Sequence, residues 1–353
     1  IFNLCNYMVD QGVLVTLYTN RESYFTNRLS GRIKLIIEKD MGKGINLVSK
    51  RLRNLVKHLR HNSYDLVFAT ERMTSSILYL ANRITNSSSR VIIREAASNF
   101  SVAFDKTTFY KRLLLRNLFR YCYRRADLLI ANSLGTFRSL QRNRLIGKSG
   151  NCYIIDNPLD IKMIQEKSMA EIPESINEKM FNRKTIMTIG RLDAKKRIDD
   201  IIRAIYLLRK NGEDVALLVL GEGPERLYYE KLIKDMKLDD SVFLVGHVSN
   251  PYPILKRADV FVLASEFEGF GMVVVEALAL GLPVVASDID GGPRQILCGG
   301  RFGKLFAVGD IQALADYIKE YIDNRADPEF LKMRALEYDT SVKAKEYMEI
   351  LGF

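Results

Sequence analysis

Two glutamates, Glu268 and Glu276, lie on either side of a glycine-containing turn between an apolar run, 259–264, and a predicted apolar helix, 273–280. Free N–H groups at the start of a helix attract anions, most often phosphate. Glu276 lies about two turns into the helix, so it need not share a face with Glu268. We interpret the pair as two carboxylates that hold different parts of one phosphate-containing ligand. The alternative is that both are solvated surface acids, although an acid in an apolar helix is normally paired or binds a ligand.

Cations follow another predicted strand, 185–190, which ends at Gly190. Arg191 and Lys196 lie five residues apart in the following loop and helix start. A planar guanidinium and a compact ammonium together suit a diphosphate. Ordinary helix-capping charge explains the same segment equally well, and the adjacent Lys195 leaves open which lysine points inward.

Glycines follow three further predicted strands of the same half of the chain. Gly246 and His247 can present backbone groups to a nucleobase, and His247 itself is interpreted as a loop histidine. The turn 221–225 is expected to shape the wall of the site, and the glycines of 291–293 open a helix.

These segments belong to a regular alternation of short apolar strands and helices, which indicates parallel sheets covered on both faces. Predicted strands cover 13–18, 33–37, 65–69, 90–93, 128–131 and 152–155, and then 185–190, 215–221, 242–246, 260–264, 283–286 and 304–307. The predicted fold class is α/β, with two doubly wound Rossmann-like domains facing across a cleft.

The domain organisation follows from these two series of strands. The first predicted domain spans 1–158, the second spans 159–335, and 336–353 is expected to form a helix that packs back on the first domain. Because Ile1 begins a helical pattern rather than a strand, we also expect a further strand and glycine-rich loop, about 15 residues in all, upstream of it.

Composition limits the class of protein. The chain has 353 residues, of which 47% are hydrophobic, which favours a folded protein. No apolar stretch is long enough to predict a membrane span. The four cysteines lack metal or redox spacing and are interpreted as reduced thiols in a cytoplasmic protein, and three histidines make a histidine-based metal site unexpected.

Charge is unevenly distributed along the chain. Residues 1–150 contain 26 Lys and Arg against 9 Asp and Glu, whereas residues 151–353 contain 27 against 33. In the basic half, Arg112, Arg116 and Arg120 recur every four residues and share one face of a predicted helix, 108–125. Basic amphipathic helices bind anionic membranes or lipid phosphates, and a solvated helix face is the alternative. The aromatic residues of the chain mostly occupy predicted core positions of helices and strands, which disfavours a nucleic-acid-binding protein.

Taken in order, these motifs closely resemble the retaining glycosyltransferases of family 4, whose two-Rossmann architecture is called GT-B. The resemblance is dense over 185–316 and continues more faintly through 124–127, 131–133 and 157–158. The segment 250–259 resembles the subset that builds bacterial surface polysaccharides, such as lipopolysaccharide and capsule.

The resemblance implies roles for the residues already singled out. Arg191, Lys196 and Glu268 would be the catalytic residues, the two cations stabilising the leaving diphosphate and Glu268 contacting the donor sugar. Glu276 would accept hydrogen bonds from both ribose hydroxyls. The remaining donor-binding positions are Gly190, Gly246, His247, Gly269, Phe270, Gly271 and Met272. No metal or other cofactor is implied.

The donor is likewise implied by the resemblance. The donor would be a nucleotide diphosphate sugar, UDP being the expected carrier, with a hexose or N-acetylhexosamine as the sugar. From the basic first half, we expect the protein to be cytoplasmic and to dock on the anionic inner face of the cell membrane. There it would receive a lipid-linked glycan as acceptor.

The sequence departs from the family pattern in its first half, where a histidine is common near the reacting sugar. Arg94, Glu95 and Asn99 occupy that region and are expected to contact the acceptor or the sugar. Gln295 stands where a glutamate is common. A nucleotide-sugar epimerase or hydrolase of the same architecture, and a non-catalytic nucleotide-sugar-binding protein, remain alternatives.

Overall fold

The computed structural model describes residues 1–19, 29–38, 45–96, 109–147, 150–173, 176 and 178–353. The chain divides into two compact units. The first unit contains Ile1–Pro158 and Lys343–Phe353, and the second contains Leu159–Val342.

The first unit contains a four-stranded parallel sheet in the order β3-β4-β5-β6 and a separate parallel pair, β1-β2. Its strands are β1 (Thr16–Thr19), β2 (Lys34–Ile37), β3 (Leu66–Thr70), β4 (Arg90–Glu95), β5 (Leu128–Ala131) and β6 (Cys152–Ile154). Its helices are α1 (Phe2–Asp10), α2 (Ile45–His61), α3 (Arg72–Ile84), α4 (Phe109–Tyr123) and α5 (Leu134–Arg142).

The second unit is built on a six-stranded parallel sheet in the order β12-β11-β10-β7-β8-β9. Its strands are β7 (Lys184–Ile189), β8 (Val215–Leu220), β9 (Val242–Gly246), β10 (Val260–Leu263), β11 (Val284–Ser287) and β12 (Lys304–Phe306). Its helices are α6 (Ile161–Lys167), α7 (Ile198–Lys210), α8 (Arg226–Asp235), α9 (Tyr252–Arg257), α10 (Met272–Ala279), α11 (Gly292–Ile296), α12 (Ile311–Asp323) and α13 (Pro328–Leu336).

Apolar strands without alternation explain why this second sheet is covered on both faces. Every residue of β8 is buried. Successive side chains of a strand point to opposite faces, so Leu217 packs into one hydrophobic cluster and Leu218 into the other. The two clusters hold the helices in place and leave the loops at the carboxyl ends of the strands to form the site.

The last helix, α14 (Thr340–Leu351), contributes its buried residues to the first unit. Ala344, Tyr347 and Leu351 pack in one cluster with Ile92 of β4 and Ile130 of β5. The end of the chain therefore supplies part of the core of the first unit.

The second unit ends at Val342 rather than at the expected residue 335. The segment after α13 stays with this unit because Tyr338 is buried against Phe270, with ring centroids 5.6 Å apart. Arg334 donates hydrogen bonds to the Tyr338 hydroxyl and, at 2.8 Å, to the carbonyl of Ile296. Contacts of this kind are not visible in a helix pattern.

Across the ranges that the structure describes, none of the helices combines the length and apolar character needed to cross a bilayer.

Candidate functional site

The carboxyl edge of the second sheet has a point where the strand order reverses. From β7 the chain moves outward to β8 and β9, and then returns to the other side of β7 as β10. The loops after β7 and β10 therefore leave the sheet side by side in opposite directions. Open α/β sheets bind ligands at this kind of position.

Lys196 and Glu268 meet at this point, although 72 residues separate them. The Lys196 ammonium donates to Oε1 of Glu268, and the two side chains are 24% and 14% exposed. Lys195 is exposed, and its carbonyl accepts a 3.0 Å hydrogen bond from the amide of Glu266. Of the two lysines, Lys196 is thus the one that points into the site.

Two buried serines hold Glu268 in position. The Ser265 hydroxyl donates to Oε1 of Glu268 at 3.0 Å, and the Ser287 hydroxyl donates to the Ser265 carbonyl. Both serines are fully buried. Neither serine was predicted as a site residue, although the position of Ser265, just after a buried strand and three residues before a site carboxylate, is a usable signal.

The glycine turns allow the loops around the site to pack backbone against backbone. A Cβ on Gly292 would lie 1.6 Å from the carbonyl oxygen of Phe270, and one on Gly221 would lie 1.9 Å from that of Gly190. Either contact is far below any normal separation, so only glycine fits. The turn at 291–293 therefore supports the 268–271 loop, and the turn at 221–225 supports the loop after β7.

Glu276 lies on α10, which begins after Gly271 in the left-handed conformation. Among the described residues, its carboxylate makes no hydrogen bond or ion pair. Burial raises the pKa of Glu276 from 4.5 to about 7. A partly buried acid without a partner is costly unless it serves a ligand.

The other expected donor-binding positions lie on the same edge of the sheet. Arg191 is exposed in the loop after β7, and its side chain makes no hydrogen bond or ion pair with the described residues. Gly246 ends β9, and its carbonyl accepts a 2.7 Å hydrogen bond from the amide of Gly221. His247 is exposed immediately after it, and Met272 is exposed at the start of α10. The structure places these residues around the edge, and their roles stay predictions.

The expected acceptor residues of the first unit are largely engaged within the protein. Glu95 is buried, where it accepts 2.9 Å hydrogen bonds from Arg72 Nε and from the Tyr123 hydroxyl. Arg94 is buried and donates to the Tyr347 hydroxyl at 2.8 Å and to Asn157. These contacts hold both side chains at the carboxyl end of β4.

Asn99, the third of the residues expected to contact the acceptor, lies outside the described residues. The acceptor contacts of all three therefore stay predictions.

Helix α4 exposes apolar as well as basic side chains. Phe109 and Tyr110 are 73% and 83% exposed, and Leu113 and Leu114 are also exposed. These two residues are therefore exceptions to the expectation that the aromatic residues mostly occupy core positions, because no described element covers that face.

The arginines of α4 lie beside this apolar surface. Arg112 and Arg116 are exposed, whereas Arg120 is half-buried and donates from Nε to the carbonyl of Asn143 at 3.1 Å. The helix thus joins cations to an exposed apolar face.

No group of three or more His, Cys, Asp or Glu residues within the described ranges is arranged to hold a metal ion.

The family model "Glycosyl transferases group 1" matches residues 171–337, which include every site residue of the second unit. One curated relative is the N-acetylgalactosamine-N,N'-diacetylbacillosaminyl-diphospho-undecaprenol 4-alpha-N-acetylgalactosaminyltransferase of Campylobacter jejuni. It is 30% identical over 299 residues, covering 84% of this chain and 78% of that protein.

Solved structures show the same fold along nearly the whole chain. HepE of Anabaena, crystallised with UDP, matches with a TM-score of 0.77 at 20% identity, covering 99% of this chain and 94% of that one. Sucrose-phosphate synthase of Thermosynechococcus elongatus matches with a TM-score of 0.79 at 17% identity, covering 99% and 90%. The predicted α/β architecture of two Rossmann-like domains is confirmed.

Proposed function

We propose a reaction for this chain from one premise: it belongs to the glycosyl transferases of group 1 and has the GT-B fold. The proposed reaction moves a hexose or N-acetylhexosamine from a nucleotide diphosphate to a lipid-linked glycan, with retention at the anomeric carbon. The expected setting is the synthesis of a bacterial surface polysaccharide.

The observation that carries the proposal is the convergence of Lys196 and Glu268 at the reversal of strand order. In the proposed complex, Lys196 and Arg191 neutralise the donor diphosphate. Glu276 accepts hydrogen bonds from the two ribose hydroxyls, and Glu268 accepts from hydroxyls of the donor sugar. The raised pKa of Glu276 agrees with a carboxylate whose best partners are ligand hydroxyls.

The chemistry follows from where charge develops. As the bond from the anomeric carbon to the diphosphate oxygen breaks, negative charge grows on the diphosphate, and the cations beside it stabilise that charge. The acceptor hydroxyl attacks the same face of the sugar, and the departing phosphate oxygen takes its proton. These cations and the amides of Gly269, Phe270, Gly271 and Met272 supply the positive field, so the proposed mechanism uses no metal.

The proposed substrates are inferred from those named for the relatives. The name of the C. jejuni enzyme specifies a diphospho-undecaprenol-linked glycan, which supports a lipid-linked acceptor for this chain. HepE was crystallised with UDP, which agrees with UDP as the carrier. A polyprenyl-linked acceptor lies at a membrane, so we propose that the protein works on the cytoplasmic face of the inner membrane.

Helix α4 supports membrane docking. Exposed Leu113 and Leu114 lie beside exposed Arg112 and Arg116. Apolar side chains next to cations suit the boundary between anionic headgroups and acyl chains. We propose that this surface binds the membrane and brings the lipid diphosphate to the first unit.

A nucleotide-sugar thermal-shift screen of the full chain tests the donor site. Lys196→Ala and Glu276→Ala are expected to abolish the shift produced by the true donor, because each removes a direct contact. Lys195→Ala is the matched control, since this neighbouring lysine is exposed, and it is expected to retain the shift. If both site variants retain a normal shift, the site assignment is wrong.

A further inference from the structure

The Lys196 ammonium, proposed above to bind the donor diphosphate, already has an anionic partner within the protein, the Glu268 carboxylate. Both charges are mostly removed from solvent, so salt and water screen this pair less than an exposed one. An incoming diphosphate would therefore compete with Glu268 for the same cation.

The Glu268 carboxylate, which would compete with the diphosphate for Lys196, is also held in place by hydrogen bonds. Its Oε1 accepts from the Ser265 hydroxyl, and the Ser265 carbonyl is held by Ser287. A side chain that is already ordered loses little conformational entropy when it stays on Lys196. The structure thus favours the internal pair over a loose carboxylate that any anion could displace.

The two nucleotides of the proposed reaction differ in what they offer a displaced carboxylate. Free UDP brings two phosphates toward Lys196 but lacks the donor-sugar hydroxyls, and its ribose hydroxyls are proposed to bind Glu276. The displaced Glu268 carboxylate would therefore lie close to the phosphates without a compensating donor. A UDP-sugar brings the same phosphates together with sugar hydroxyls, which can donate to the carboxylate as it moves away from Lys196. Displacing Glu268 is therefore more costly for UDP than for the UDP-sugar.

We propose that Glu268 is a specificity-determining residue that weakens the binding of free UDP relative to UDP-sugar by competing for Lys196. This inference rests on the proposed function and adds a second role for Glu268, in favouring the donor over the spent nucleotide. In the proposed complex Lys196 contacts the second phosphate, which UMP lacks, so UMP binding is expected to be independent of Glu268.

Isothermal titration calorimetry on the full chain tests the proposal with UMP, UDP and a UDP-sugar. The UDP-sugar is whichever of UDP-glucose, UDP-N-acetylglucosamine and UDP-N-acetylgalactosamine gives the largest thermal shift. Glu268→Gln removes the competing charge at nearly constant shape. It is expected to tighten UDP binding about tenfold, to tighten UDP-sugar binding less than about twofold, and to leave UMP binding unchanged.

Glu266→Gln is the matched control, because Glu266 lies two residues away in the same loop and is exposed. It makes the same change of charge without freeing Lys196, so all three affinities are expected to stay within about twofold of the wild type. Glu268→Ala provides a second way of freeing Lys196 if the glutamine variant is poorly folded. The same gain for UDP is expected from it.

Several results would overturn the inference. UDP affinity that is unchanged or weaker in both Glu268 variants excludes competition, and an equal gain for UMP or in the Glu266 variant reduces the effect to general electrostatics. If Lys196→Ala still abolishes UDP binding in those cases, the proposed function stands without this inference. If the wild type binds neither UDP nor any of the three UDP-sugars, both fall.

Discussion

At the scale of single residues, the protein tolerates an acid in an unfavourable environment. Glu276 has a folded pKa of about 7 against an ordinary value of 4.5. The folded state therefore binds this proton more tightly than the unfolded state does. The free energy of unfolding therefore falls as the pH rises from about 4.5 to about 7. Above that range the destabilisation by Glu276 is complete.

Glu276→Gln is expected to stabilise the protein at alkaline pH, because glutamine is neutral at every pH and removes the cost of the buried charge. The gain should be about 3 kcal/mol near pH 8 and should fall below about 1 kcal/mol near pH 5. Urea unfolding of both proteins at several pH values measures it. A gain that is equal at pH 5 and pH 8 would contradict the pKa assigned to Glu276.

The positions of the candidate site residues in the fold could be predicted from sequence, but their partners could not. Strand ends placed Lys196 and Glu268 at the same edge of one sheet, because parallel strands share their carboxyl edge. Their direct ion pair depends on side-chain directions in two loops 72 residues apart. Ser265 and Ser287 were missed because a buried hydroxyl has no periodic signature, although the position of Ser265 three residues before Glu268 was a usable signal.

At the scale of elements, bounds were well predicted where strands are continuous and apolar. Strand β5 was predicted over 128–131 and spans Leu128–Ala131, and β9 was likewise predicted at its observed bounds. For helix α4, the hydrophobic pattern did not predict which apolar residues are buried. Its apolar residues repeat as they would against a core, and only the tertiary packing shows that Phe109 and Tyr110 remain uncovered.

The close approach of two loops makes Gly292 sensitive to any side chain. Gly292→Ala would force a Cβ to within 1.6 Å of the Phe270 carbonyl oxygen and displace the loop that carries Glu268. We expect a loss of about 3 kcal/mol in stability together with the loss of UDP binding. Denaturant unfolding and calorimetry measure the two effects.

Gly31→Ala is the control for this prediction, since its Cβ would have no neighbour within 4 Å. It should leave both stability and UDP binding close to those of the wild type. Normal UDP binding by Gly292→Ala would show that the loop can move without affecting the site.

The exposed apolar face of α4 predicts a salt-resistant component of membrane binding. The double variant Leu113→Ser, Leu114→Ser is expected to bind phosphatidylglycerol-containing vesicles about tenfold more weakly than the wild type, because inserted apolar area is lost. Flotation at low and high salt measures it. Arg112→Gln with Arg116→Gln should instead lose binding mainly at low salt.

Leu227→Ser is the control for the leucine variants, because Leu227 is 77% exposed on α8 of the other unit. It should bind vesicles as the wild type does. Unchanged binding by the double leucine variant, or equal binding of the wild type to neutral and anionic vesicles, would exclude α4 as the docking surface.

At the scale of the whole molecule, two units with opposite charge share one chain. The basic excess lies in residues 1–150, and the acidic excess lies in residues 151–353, which include the whole second unit. The first unit is discontinuous, because residues 343–353 return to it after the second unit is complete. Buried Tyr347 connects this last segment to the rest of the first unit. It packs in one cluster with Ile92 and accepts the hydrogen bond from Arg94.

Tyr347→Ala is therefore expected to weaken the first unit selectively. Removing a fully buried aromatic side chain typically costs about 3–5 kcal/mol, and Arg94 also loses a partner. Hydrogen exchange should show lost protection in β4 and β5, with β7 and β8 unaffected. Lys345→Ala, an exposed change on the same helix, should alter neither unit. Equal loss of protection in both units would show that they unfold together.

This return of the chain has a consequence for synthesis on the ribosome. The segment that completes the core beneath β4 and β5 is translated after all 184 residues of Leu159–Val342. Until then, one apolar face of the first unit's sheet stays exposed while the second unit is synthesised and folds. Nascent chains in that condition are substrates for chaperones and are prone to aggregate. Slow translation late in the message would lengthen this vulnerable interval.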